Sequence, residues 1–447
     1  MLEYYYSIFI FLLSATIFVY SRSIPVVLVS LYISSWFFPQ GLNVFGFGLM
    51  SILFGGEILY MIVMQRWKKN KVSNILSRHA LFFVCYLIVF YIAVSLLGYE
   101  MPIVPQIAGL KYQIYYLFNI IFIVYSLNNP QEFKAIVKVV LLLIVISGIY
   151  SGFTYVTKEN PFALAVLSMT DIFDESGLAS TYLEEERGFL TGRISGLTVH
   201  PLMFGGVLSL CVFLLLFAIN QSKSLYEKGI FIFVLLFSLL LIVFTGSRSI
   251  LIGTMTGLLF YLFLQYKKKV LLYGFIAIIG IYFIGFTIED DFLRSTIFFW
   301  EDNSEIKGSS SDMRSSQIEA GIERISGNIG SFLFGLGNGW VGQYSKKYGN
   351  VPPFHGFESI ILTSILQFGI LGTITYFYLT FVKLYKVVVR HVCNPNAKGL
   401  LLSFLLAGFV VFSFTGGVYG LDLYVVLTFF MVKWHAISVL ICQKESI

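Results

Sequence analysis

The side chains in this sequence that could do chemistry stand where apolar runs begin and end. Arg187 lies in Arg187-Gly188-Phe189, and Arg193 in Gly192-Arg193-Ile194-Ser195-Gly196, just ahead of His200-Pro201. Glycine lets backbone approach a ligand closely, and a guanidinium can grip a phosphate through two parallel hydrogen bonds. Both arginines also read as solvated loop charges paired with Glu184-Glu185-Glu186. His200 reads as a helix-entry residue or as a base.

A third arginine opens an apolar run directly, in Thr245-Gly246-Ser247-Arg248-Ser249. A cation this close to hydrocarbon is costly unless it is partnered or reaches the interface, so Arg248 either snorkels or binds an anion. Further on, Ser309-Ser310-Ser311-Asp312 can cap a short amphipathic helix, with Arg314 in its first turn. Met313, Ile318, Gly321, Ile322 and Ile325 would form its apolar face. The glycine-rich Phe334-Gly335-Leu336-Gly337-Asn338-Gly339 follows. It lacks the strand-turn-helix setting of a nucleotide fingerprint but suits close approach of a polar head group. His355 and Glu358 share a face if both are helical. A carboxylate against an apolar boundary can be raised into the range of a general base; interfacial solvation is its other reading.

The elements that must position these residues are membrane spans. Charged residues make up 12% of the 447 and hydrophobic ones 57%, against roughly 25% charged in soluble globular chains. The net charge of +6 is scattered in short clusters, which excludes a basic nucleic-acid face. Runs able to cross about 30 Å of hydrocarbon lie near 4–20, 24–40, 42–64, 80–98, 112–127, 136–156, 200–219, 229–245, 249–266, 270–287, 357–382, 400–417 and 420–440. Pro25, Pro39 and the glycines between 41 and 56 interrupt the first three, so twelve or thirteen spans are expected in an all-α polytopic integral membrane protein. Glu3 and the missing small-residue cleavage site make the first run a retained span.

Acid-free basic clusters at 65–79, 267–269 and 383–399 all fall on one side, which the positive-inside rule makes cytoplasmic. The chain then divides into an N-terminal bundle (1–156), an extracytoplasmic loop (157–199), central helices (200–287), a second extracytoplasmic loop (288–356) and C-terminal helices (357–447). The loops are acidic, with three basic and seven acidic residues in the first and six and nine in the second. Glu57 and Asp422 are acids within spans, functional candidates by default. Cys85, Cys211, Cys393 and Cys442 avoid both loops and lack metal-ligand spacing, so neither a disulfide nor a zinc site is expected.

The order and common sidedness of these motifs resemble bacterial O-antigen polymerases and O-antigen ligases. The resemblance is carried by Arg193-Ile194-Ser195-Gly196 before a span and by Thr245-Gly246-Ser247-Arg248 opening one. Arg314 ahead of Phe334-Gly335-Leu336-Gly337, and Glu358-Ser359 nine residues before Gly369-Ile370-Leu371-Gly372, complete it. It spans roughly 187–380. Arg324 and Gly335 also fit the Arg-x10-Gly pattern of polymerase loops. The ligase pattern has His-Asn where this chain has Glu358-Ser359, with His355 one turn earlier, so the Glu looks more like the polymerases.

The resemblance implies a metal-independent, cofactor-free glycosyltransferase of the bacterial cytoplasmic membrane, acting at its outer face. A growing glycan would pass from undecaprenyl diphosphate to an incoming lipid-linked repeat unit. Arg187, Arg193, Arg248, Arg314 and Arg324 would bind the diphosphate, and Glu358 or His355 would act as base. Neither loop contains an Asp-x-Asp motif, although Asp171 and Asp174 could bind a cation weakly. Membrane lipid, a chain-length regulator and a flippase are the implied partners, with no nucleic acid. The alternatives are a ligase delivering finished glycan to a lipid or wall acceptor, a flippase or exporter of lipid-linked oligosaccharide, and a scaffold without catalysis. Spans nearly free of charge count against the flippase.

Overall fold

The computed structural model describes residues 2–38, 43–44, 46–64, 74–98, 100–167, 193–198, 200–266, 311–341, 359–414 and 418–445. Its helices are α1 (Leu2–Ser21), α2 (Ile24–Ser34), α3 (Leu49–Val63), α4 (Asn74–Leu97), α5 (Ile103–Ser126), α6 (Pro130–Thr157) and α7 (Pro161–Leu167). After these come α8 (Pro201–Gln221), α9 (Leu225–Phe244), α10 (Arg248–Tyr266), α11 (Ser311–Ser326) and α12 (Ile329–Phe334). The last are α13 (Ile360–Phe377, continued by Tyr378–Lys383 and Leu384–His391), α14 (Pro395–Phe414) and α15 (Val418–Glu445). A two-residue antiparallel pair, Asn43–Val44 with Phe47–Gly48, is the only strand pairing among the described residues.

Ten of these helices are long and apolar enough to cross a membrane, and two shorter apolar ones cover Ile24–Phe37 and Leu49–Val63. The expected run 270–287 lies outside the described residues. Pro25 does not interrupt α2 but sits in its first turn, where the missing N–H costs nothing. Helix α6 begins at Pro130 because Asn129 and Glu132 form a capping box. Asn129 Oδ1 accepts from Gln131 N at 3.0 Å, and Glu132 Oε2 accepts from Asn129 N at 3.1 Å.

Helix α5 starts nine residues before the expected run at 112. Gln106 in that added stretch is buried, so its polarity faces protein and hides the span from a hydropathy reading. Glu57 is fully buried in α3, and among the described residues neither of its carboxylate oxygens has a hydrogen-bond partner. Asp422 lies in α15, but its side chain is outside the described residues.

Small residues allow the closest packing. Gly253 and Gly257 of α10, four apart, press against Val411 and Ala407 of α14; a Cβ on either would run into them. Helix α15 runs through the middle, where Trp434 stacks on Phe133 of α6 at 5.8 Å. At one end of the bundle Ser23 Oγ donates to Glu132 Oε1 at 2.9 Å, Lys134 pairs with Glu227 at 2.8 Å, and His79 meets His391 at 2.7 Å. The connecting residues 100–102, 158–160, 193–198 and 245–247 lie at the other end.

Candidate functional site

The 245–247 turn is where two of the sequence-predicted arginines come together. Helix α9 ends at Phe244, Gly246 turns the chain at φ +64°, and Arg248 starts α10. The segment before α8 is laced to this turn: Ile194 N donates to Phe244 O at 3.1 Å, and Arg193 Nε donates to Thr245 O at 3.0 Å. Arg193 Nη2 adds longer bonds to Gly246 O at 3.4 Å and Ser247 Oγ at 3.5 Å. The guanidinium thus caps the carbonyl end of α9, the negative pole of its dipole.

Arg248 is held otherwise. It is half-buried, and among the described residues its side chain has no hydrogen bond or ion pair. One guanidinium fixes the turn, and the next residue presents another with its donors unspent.

Behind Arg193, Ser195 is buried, and its Oγ accepts from Asn160 Nδ2 at 3.1 Å. Asn160 Oδ1 accepts in turn from Tyr150 Oη at 2.8 Å. Gly196 has φ +55°, and a Cβ there would strike the Phe204 ring. His200 is the N-cap of α8: its Nδ1 accepts from Leu202 N at 3.1 Å. Burial, and then the positive charge of Arg193, push its pKa down from 6.5 to about 4. A neutral imidazole with Nδ1 already used fits the helix-entry reading.

The amphipathic helix expected after Ser309 is α11, at Ser311–Ser326. Its buried face keeps Gly321 and Ile325 of the expected one and replaces Ile318 and Ile322 by Gln317. Gln317, Gly321 and Ile325, four apart, face inward, and Gly321 packs against Leu362 of α13. Ile318 and Ile322 are 48% and 52% exposed, one residue round the helix from that seam. Arg314 is in the first turn of α11, but its side chain lies outside the described residues. Arg324 is committed to an ion pair, Nη2 to Glu100 Oε2 at 2.8 Å.

The glycine-rich segment after α12 is a plug. Helix α13 breaks at Gly369, with φ +67° and ψ −175°, and the turn after Phe334 enters the gap. Leu336 N donates to Leu366 O at 2.8 Å, and Gly337 N to Gln367 O at 3.2 Å. Gly335, at φ +79°, meets Gly369 backbone to backbone, and a Cβ on either would collide with the other strand of the clasp. Four amides lock it. Asn338 and Gln113 exchange bonds at 3.0 and 3.1 Å, Asn338 N donates to Gln106 Oε1 at 3.2 Å, and Gly339 N donates to Gln367 Oε1 at 2.7 Å. Asn338 Nδ2 also donates to Ser95 Oγ at 3.3 Å. Asn338 falls in the glycine-rich motif read from the sequence, but Gln106, Gln113 and Gln367 were not singled out. The signal of the three glutamines was an uncharged polar residue recurring within apolar helices.

Ser359 caps α13 and donates from Oγ to Ser413 O at 2.9 Å, at the end of α14. Because α14 runs antiparallel to α10 with Val411 on Gly253, the starts of α10 and α13 lie at the same end of the bundle. Arg187, His355 and Glu358 lie outside the described residues. No group of three His, Cys, Asp or Glu side chains able to hold a metal gathers among the described residues.

A family model described as O-antigen ligase matches residues 231–377. That stretch includes Arg248, Arg314, Arg324, His355, Glu358 and the Gly369 break, and it leaves out Arg187 and Arg193. It is the family of the resemblance read from the sequence. Among curated proteins none matches the chain. The match supports activity of the O-antigen polymerase or ligase type in a multi-pass membrane protein with a lipid-linked glycan substrate.

Proposed function

We propose that this chain polymerises polysaccharide repeat units at the outer face of a bacterial cytoplasmic membrane, without metal or cofactor. The donor is a glycan on undecaprenyl diphosphate, and the acceptor is a hydroxyl on the next lipid-linked unit. The acceptor oxygen attacks the anomeric carbon, the bond from that carbon to the diphosphate oxygen breaks, and the leaving group keeps the electron pair. The hydroxyl proton passes to Glu358 or His355. Arg248 meets the diphosphate, Arg193 holds the turn that presents it, and Arg314 and Arg187 add positive charge from the two loops. Arg324, engaged with Glu100, anchors α11 instead.

The observation that carries this reading is the half-buried guanidinium of Arg248, without a partner among the described residues, beside a turn braced by a second arginine. Fixed cations aimed at a departing diphosphate stabilise charge as it develops. A strain lacking the gene should accumulate glycan of one repeat unit. Arg248→Ala and Arg314→Ala chains, expressed at normal level, should give at least about a hundredfold less polymer, the scale of one lost charge-stabilising donor. Full-length polymer from both variants would overturn the site. The ligase reading is favoured by the description of the matched family. In that case loss of the gene leaves long chains on the carrier lipid rather than single units.

A further inference from the structure

A groove of about 1090 Å³ opens at the end of the bundle away from the arginine turn. The last turn of α1, the start of α2, the end of α3 and the first turns of α6 form its walls. Helix α6 has 28 residues, and at about 1.5 Å per residue it separates the groove from the Arg193 end by roughly 40 Å.

The lining is divided by chemistry. Leu28, Leu59, Val63 and Met64 make an apolar wall. Leu59 and Val63 are 63% and 66% exposed, so this wall is open to whatever surrounds the helices. Arg22, Lys134 and Lys138 stand along the other rim. Lys134 is tied to Glu227 at 2.8 Å, whereas Lys138 comes only within 3.9 Å of that carboxylate. Lys138 instead donates to Tyr20 Oη at 3.1 Å and lies over the Tyr20 ring. Glu132, the acid in the lining, is already used by Ser23 Oγ and by the Asn128 and Asn129 N–H groups. Arg22 is exposed, in the left-handed region at φ +51°, and its side chain has no hydrogen bond or ion pair among the described residues.

Cations above an apolar wall are complementary to an amphiphile with an anionic head. The volume lies just above the roughly 300–1,000 Å³ usual for small-molecule sites, enough for a head group and the first part of its chains. We propose that this groove binds one anionic phospholipid, its phosphate against Arg22 and Lys138 and an acyl chain along Leu28, Leu59, Val63 and Met64. Free phosphate would satisfy the rim but leave the wall bare. The site is separate from the transfer reaction and stands whether or not that reading holds.

Native mass spectrometry of the purified full-length protein, supplied with equal amounts of phosphatidylglycerol and phosphatidylcholine, tests this. The wild-type chain should retain phosphatidylglycerol in preference, and each cation removed should cost about fivefold in that preference. Arg22→Gln with Lys138→Gln should therefore bring the ratio close to one, with polymer output unchanged. Should the double variant fold poorly, Arg22→Gln alone carries the test, since Arg22 has no side-chain partner among the described residues to lose. Equal retention of both lipids by the wild-type chain would overturn the proposal. So would an unchanged ratio in the Arg22→Gln chain, or displacement of phosphatidylglycerol by inorganic phosphate.

Discussion

Arg193 and Arg248 stand on one turn and should answer differently to the same substitution. Arg193 donates to Thr245 O and Gly246 O, so Arg193→Ala removes a brace as well as a charge. Its loss should lower unfolding stability by about 1.5–3 kcal/mol, the range for hydrogen bonds to charged groups, and lower polymer output with it. Arg248→Ala should cut output while leaving the melting temperature within a degree or two, since it breaks no described bond. Melting curves beside polymer yields separate the two roles. His200 gives a third residue-scale expectation. Folded, it takes a proton only near pH 4, against 6.5 when free. Stability should be full above about 6.5 and fall as the pH drops toward 4, because in that window only the unfolded chain is protonated. His200→Asn, which still caps a helix, should flatten that slope in melting temperatures taken across the window.

Helix α13 and the turn plugged into it stand or fall together. Gly369→Ala forces a Cβ into the backbone of Leu333 and Gly335 at a positive φ, and should destabilise by roughly 2–4 kcal/mol. Asn338→Leu strands Gln113 and should cost about 1–3 kcal/mol; denaturation in detergent would read both. Elements of this kind divide what the sequence could and could not disclose. Apolar runs ending in basic clusters disclosed nearly every span, because burial in lipid demands length and composition alone. The Gly369-Ile370-Leu371-Gly372 motif was visible, but its use was not: a glycine at φ +67° is defined by the chain that approaches it, here more than thirty residues earlier. The amides escaped for the same reason. Gln106 and Gln113 depress hydropathy as solvent-facing residues would, and only the fold turns them toward Asn338. Arg324 reads as a diphosphate ligand from its spacing to Gly335, and only the fold sets Glu100, 224 residues away, beside it.

Across the whole molecule the two ends have distinct characters, one carrying the turn, the plug and the starts of α10 and α13, the other the Lys134–Glu227 pair and the lipid groove. On the sidedness expected from the basic clusters, the first end faces outside. A membrane-impermeant maleimide should therefore label Ile329→Cys in intact cells, and Leu225→Cys only after permeabilisation; these positions are 79% and 85% exposed. Labelling in the reverse order would invert the assignment and remove the outer-face reaction with it. The broken helix adds a constraint in time. Leu366 O and Gln367 O, released by the Gly369 break, would enter hydrocarbon bare, at several kcal/mol each, without Leu336 and Gly337. Those donors precede α13 in the chain, so a ribosome delivering it N-terminus first has already made them when α13 is inserted. The order of residues is thus also an order of assembly, and moving the plug to follow its helix would leave the bilayer to reject the span before its partner arrived.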